Sequence, residues 1–105
     1  MAANLNIISQ VMDEFVMVEV NGEIDISTVS ELKERLYHIV EQNSKDIKLD
    51  CSSLTYIDST GLGALVGALK KVKSQDKDIY ITNLKSNIKK LFLITGLDKV
   101  FKIEE

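Results

Sequence analysis

Short strand-like apolar runs alternate along this chain with stretches whose apolar residues recur at helical spacing, and that alternation leaves few folds open. Leu5 to Ser9 and Phe15 to Val20 read as two strands. In the second, Val16, Val18 and Val20 alternate with Phe15, Met17 and Glu19, and both sets are mostly apolar, so both faces are expected to be covered. Asn21-Gly22 then reads as the start of a turn. Thr28-Val29-Ser30-Glu31 has the form of a capping box, with Thr28 as the cap and Glu31 reaching back. Val29, Leu32, Leu36, Ile39 and Val40 follow at helical spacing. Asp46 to Cys51 reads as a short buried strand, about Ser59 to Ser74 as a second helix, and Asp78 to Thr82 as another strand. Ile88, Leu91, Phe92 and Thr95 mark a third helix, which Gly96 should end in a left-handed cap. Lys99 to Ile103 reads as a last strand. The resulting ββαβαβαβ order predicts an α/β fold, a sheet with helices packed on it and right-handed crossovers between parallel strands.

The 105 residues suit one domain spanning 1–105, long enough for a single core. No linker, repeat or low-complexity tract divides it. A formal charge of −3 leaves no basic footprint, so no nucleic-acid partner is expected. Lys70, Lys71 and Lys73 read as the solvated end of a helix. Cys51 is the only cysteine, which excludes an internal disulfide and suits a reducing cytoplasm. No stretch approaches the roughly 20 apolar residues of a membrane span, and no signal peptide is evident, so no membrane partner is expected.

The segment Tyr56-Ile57-Asp58-Ser59-Thr60-Gly61-Leu62-Gly63-Ala64-Leu65 carries the strongest functional signal. A strand-like approach ends at Asp58, and helical spacing begins by Leu62. Asp58, Ser59 and Thr60 can each cap a helix, although one cap suffices. A hydroxyl here sits at the positive end of a helix, where a phosphate on Ser59 would be accommodated. An ordinary N-cap serine is the alternative. Catalytic machinery is not evident. His38, the only histidine, lies mid-helix beside Leu36 and Ile39 and reads as a surface or boundary residue. One His and one Cys make no cluster of soft metal ligands, and no metal or cofactor is expected. Ser59 lacks the G-x-S-x-G elbow because Ile57 stands at the first glycine position. Gly61-Leu62-Gly63 begins like a dinucleotide fingerprint, but Val66 occupies the third glycine position. Gly67-Ala68-Leu69-Lys70-Lys71 is no Walker lysine motif. No residue is assigned a catalytic role, and the chain reads as a non-enzyme.

Placed at about 100° per residue, Leu62, Leu65, Val66, Leu69 and Val72 share one face of the second helix. Thr60, Gly63, Ala64, Gly67 and Lys71 lie opposite. Glycine in a helix costs about 1 kcal/mol relative to alanine, so Gly63 and Gly67 need a steric reason. Either they pack against a neighbouring helix of the same domain, or they form a flat docking surface continuous with Ser59 and Thr60.

Asn21-Gly22-Glu23-Ile24-Asp25, the Tyr56 to Gly63 segment, and Thr95-Gly96-Leu97-Asp98-Lys99-Val100-Phe101 occur in that order across nearly the whole chain. Together they resemble bacterial anti-sigma factor antagonists of the STAS domain family. The resemblance implies a mixed β-sheet with helices packed largely on one side. It also implies that Ser59 is phosphorylated by a partner anti-sigma factor with serine kinase activity. The unphosphorylated protein would bind that factor and release a sigma factor, and a metal-dependent serine phosphatase would reset the switch. Asp25, Asp58, Ser59, Thr60, Gly63 and Gly67 would form the partner-binding face, on a protein monomeric when free. Asp25 could instead serve its turn. The chain stops at Glu105, where many members continue into another helix, but no switch residue is affected. The alternatives are a STAS scaffold or small-ligand or nucleotide sensor that works without phosphorylation, and an enzyme with Ser59 as nucleophile, for which no base can be named.

Overall fold

The computed structural model describes residues 4–104. Its strands are β1 (Leu5–Val11), β2 (Phe15–Ile24), β3 (Asp46–Asp50), β4 (Leu54–Ile57), β5 (Ile79–Thr82) and β6 (Lys102–Glu104). Its helices are α1 (Val29–Asn43), α2 (Ser59–Lys73) and α3 (Ser86–Thr95), and a short 3-10 turn covers Leu97–Lys99. Among the described residues the strands form one mixed sheet in the order β1-β2-β3-β5-β6, with β4 paired to β2. Only the β1–β2 pair is antiparallel.

β2 is longer than its apolar alternation suggests, and Asn21-Gly22 is no turn. The strand runs through both residues to Ile24, with a register shift between Gly22 and Glu23. Gly22 has φ +112°, and a Cβ there would overlap the Asn4 carbonyl. Glycine allows this irregularity without ending the strand. The extra length matters because β3 lies beside Phe15 to Glu19, while β4 lies beside Gly22 to Ile24. The Cys51 to Ser53 turn divides these two pairings. Leu54 N–H donates to the Cys51 carbonyl at 3.1 Å, and Gly22 N–H donates to the Ser53 carbonyl at 2.8 Å. β4 is a separate strand absent from the expected element order.

The core lies on one face of the sheet. Val16, Val18, Val20, Ile47, Leu49, Ile79 and Ile81 meet Leu32, Leu36, Leu62, Leu65, Leu69, Val72, Ile88 and Phe92 from the three helices. Burying an aliphatic side chain of this size contributes about 1.5–3 kcal/mol before entropy is counted. The opposite face is not closed: Phe15, Met17 and Glu19 are only half-buried there, so the expectation of two covered faces for β2 fails. Lys48 lies over the Phe15 ring, 4.5 Å from its centre, and shields part of that apolar surface. Gly96 ends α3 in the left-handed region at φ 76°, as its position predicts. Beyond it, Phe101 packs edge-on to Phe92 with ring centres 5.7 Å apart, fixing the last segment to the core.

Candidate functional site

Ile24 pairs with Ile57 in the parallel register of β2 and β4. The next residue of each strand is an aspartate, so Asp25 and Asp58 emerge side by side, about one strand spacing (~4.8 Å) apart. Each begins the loop into a helix. Both helices therefore present their N-termini at the same end of the sheet.

At the first junction one oxygen of the Asp25 carboxylate is engaged within its own turn. This Oδ1 accepts from Ser27 N–H at 2.9 Å, Ser27 Oγ at 2.7 Å and Thr28 N–H at 3.2 Å. The Ser27 hydroxyl, then the Ser27 amide, hold the Asp25 carboxyl below its ordinary range. Thr28 does not act as the capping box predicts, and no hydrogen bond links it to the Glu31 side chain. Its buried hydroxyl turns back to the strand, accepting from Asp25 N–H and donating to the Glu23 carbonyl, both at 2.9 Å. The Asp25 carboxylate instead serves the Ser27 and Thr28 amides of the turn, while Glu31 N–H and Leu32 N–H donate to the Thr28 carbonyl.

At the second junction Asp58 is the cap, accepting from Gly61 N–H at 3.1 Å. Ser59 and Thr60 are exposed on the first turn of α2. Among the described residues, no side-chain hydrogen bond engages the Ser59 hydroxyl. The three apparent caps thus divide: one caps, and two face solvent.

The glycines of α2 also divide. Gly61 is buried, and a Cβ there would approach Ile24 Cγ2 to 2.5 Å and Ile57 Cγ1 to 2.8 Å. Its missing side chain lets the helix start press against the ends of β2 and β4. The sequence offered no separate sign of that role. Gly63 is exposed, and a Cβ there would meet nothing within 4 Å. It lies one turn after Ser59 on the same side. Gly67 is different again, because a Cβ there would overlap the Tyr37 hydroxyl of α1. That hydroxyl donates to the Ala64 carbonyl at 3.4 Å, and Lys71 lies 5.4 Å from the Tyr37 ring centre while pairing with Glu41. Gly67, placed on the partner face by sequence, has an internal role in the α1–α2 contact. Ala64, from the same expected face, is buried.

Asp25, Asp58, Ser59, Thr60 and Gly63 therefore share one end of the molecule, and Gly67 marks where α1 takes over. Sequence reasoning missed Ile26, which lies between Asp25 and Ser27 and is 77% exposed. Its one signal was an apolar residue in a turn, outside the repeat that begins at Val29.

Other chemistry-bearing groups lie elsewhere. His38 is exposed on α1. Burial, with the Asp50 carboxylate adding to it, pushes the Cys51 thiol up to about 12, so it stays neutral. No group of three or more His, Cys, Asp or Glu suited to a metal occurs among the described residues. A hollow of about 580 Å3 lies on the open sheet face, with Phe15, Asp46, Lys48, Tyr80 and Glu104 in its lining. It reaches the Met12 to Glu14 turn, at the end of β2 remote from Ser59. No helix among the described residues is long and apolar enough to cross a membrane.

Residues 6–105 match the model of the STAS domain, and the chain belongs to that family. Within it, the chain is 41% identical over 102 residues to the anti-sigma-B factor antagonist of Staphylococcus aureus (strain NCTC 8325 / PS 47), covering 97% of this chain and 94% of that protein. The protein of the same name in Staphylococcus epidermidis is 40% identical over 102 residues, with the same coverage. These relatives place the chain with the anti-sigma factor antagonists. An anti-sigma factor antagonist from Mycobacterium paratuberculosis has the same fold, with a TM-score of 0.84, 24% identity, and 94% of this chain and 84% of that one covered. So does the Bacillus cell fate determinant SpoIIAA, solved in its phosphorylated form, with a TM-score of 0.72, 20% identity, and 96% and 91% covered.

Proposed function

We propose that this protein antagonises an anti-sigma factor and that phosphorylation of Ser59 switches it off. The observation that carries the reading is the division of labour at the start of α2: Asp58 caps the helix, leaving the Ser59 hydroxyl exposed and unengaged. The names of the Staphylococcus relatives support the partner class. The unphosphorylated form binds the anti-sigma factor, which also serves as the ATP-dependent serine kinase, and frees the sigma factor. A metal-dependent serine phosphatase restores the binding form. The free protein is a cytoplasmic monomer.

The switch is local. Phosphorylation adds about 1.5–2 negative charges and three acceptor oxygens to Ser59. The helix N-terminus tolerates that charge, so the fold stays intact. A closely packed interface does not, because the phosphate adds bulk and must be desolvated beside the Asp58 carboxylate. A loss of about 3 kcal/mol weakens binding by more than a hundredfold. The docking face runs from Asp25 through Asp58, Ser59 and Thr60 to Gly63, whose missing side chain permits close approach.

A binding titration with the anti-sigma-B factor homologue of the same genome tests this. Ser59→Ala should bind like wild type, and Ser59→Asp at least tenfold more weakly, one carboxylate being a partial copy of phosphate. Equal binding by the two variants would contradict the switch. Absence of wild-type binding would remove the proposed partner.

A further inference from the structure

We propose that Ile26 is the apolar anchor of the docking face, inserting into an apolar socket on the anti-sigma factor beside the surface that receives Ser59. The inference rests on the reading of function given above and identifies the side chain on which binding by the unphosphorylated form depends. Its basis is the contrast between the side chain and its backbone. Ile26 is 77% exposed, the highest value among the exposed large apolar residues described. Its backbone is nevertheless tightly held. The Asp25 carboxylate binds Ser27 N–H, Ser27 Oγ and Thr28 N–H, closing a turn around Ile26. Thr28 Oγ1 ties the same turn to Asp25 N–H and to the Glu23 carbonyl. A β-branched side chain on a fixed backbone has few rotamers to lose on docking. Such preorganised apolar side chains, surrounded by polar groups, make efficient interface anchors.

Exposure and position together select Ile26: Tyr56 on β4 also leads toward Ser59 but is less exposed, at 48%, and carries a polar hydroxyl. The β2–β4 register sets the Ile26 turn beside Asp58 and Ser59. Ile94 is almost as exposed, at 74%, but lies near the far end of α3. That helix starts after β5 and runs back from the strand ends, taking Leu93 and Ile94 away from Ser59. Ile8, Val11 and Met12 belong to β1 and the turn after it, at the sheet edge. The turn bonds also give Asp25 a second function: it holds the anchor in place, beyond any contact of its own.

The test compares Ile26→Ala, Ile26→Val and Ile94→Ala in titrations against the purified anti-sigma-B factor homologue, with melting curves on the same preparations. Ile26→Ala should weaken binding about tenfold or more, Ile26→Val should stay within about threefold of wild type, and Ile94→Ala should bind like wild type. All three melting temperatures should stay close to that of wild type, because neither position contributes to the core. Wild-type binding together with normal binding by Ile26→Ala overturns the anchor alone and leaves the antagonist reading standing. An equal loss for Ile94→Ala also overturns it, since the effect would then be general to exposed apolar surface. If wild type does not bind at all, the reading of function fails and the anchor fails with it.

Discussion

The β2–α1 and β4–α2 junctions share a plan and differ in what they leave free. Each follows a parallel strand ending in isoleucine, each continues with an aspartate, and each reaches a serine and a threonine within the next three residues. In the first, Asp25 consumes the Ser27 hydroxyl and the Thr28 hydroxyl is buried. In the second, Asp58 satisfies Gly61 N–H and leaves Ser59 and Thr60 open. Similar residues therefore build a hydrogen-bonded turn in one place and leave a free, exposed hydroxyl in the other. One residue of spacing decides it: with Ser directly after Asp, the helix begins at the serine itself.

The sharpest challenge to this comparison is at Gly61. Gly61→Val should destabilise by about 1–3 kcal/mol or more, read as a lower denaturation midpoint, because its side chain must displace Ile24 and Ile57. An unchanged midpoint would mean that the helix start is not pressed onto the two strand ends. Asp58→Ala should cost about 1 kcal/mol by removing the cap. If it costs nothing while Ser59→Ala destabilises, Ser59 is the cap and the contrast between the junctions collapses.

Gly63→Ala should raise stability by up to about 1 kcal/mol, since alanine is the better helix former and open space surrounds the site. Gly67→Ala should lose that gain because Tyr37 must swing away from the Ala64 carbonyl. In a Tyr37→Phe background the penalty should shrink, so a double-mutant cycle followed by thermal melting checks the contact. Additive effects would show that Tyr37 and Gly67 do not touch.

The smallest effect is in acid. Folding lowers the Asp25 pKa from its ordinary 3.8, so the carboxylate stabilises the native state above that value. The contribution is lost as pH falls through the lowered native value. Asp25→Asn should remove this component from the acid limb of a stability–pH curve. An unchanged acid limb would indicate that the Ser27 bonds do not favour the ionised form.

The helices and most strands were legible because their apolar repeats are long and the core face takes nearly all of each repeat. Local chemistry was harder to read. Gly22 has the composition of a turn but occupies a strand irregularity, since β1 and β4 extend the pairing on both sides of it. Thr28 has the spacing of a capping box, but burial redirects its hydroxyl toward Glu23 and Asp25. The roles of Gly61, Gly63 and Gly67 depend on Ile24, Ile57 and Tyr37, which are distant in sequence. Ser59 and Asp58 were visible as a pair, but only geometry shows which one caps. Ile26 showed in the sequence only as an apolar residue in a turn, and its exposure is what singles it out.

Phosphate mapping tests the central claim most directly. The protein is incubated with ATP and the purified anti-sigma-B factor homologue, and the product is digested and read by tandem mass spectrometry. One phosphate is expected, on Ser59, with none incorporated into Ser59→Ala. Phosphate on Ser27 or Thr60 in the wild type, or equal incorporation into Ser59→Ala, would contradict the assignment of the switch to the free hydroxyl at the start of α2.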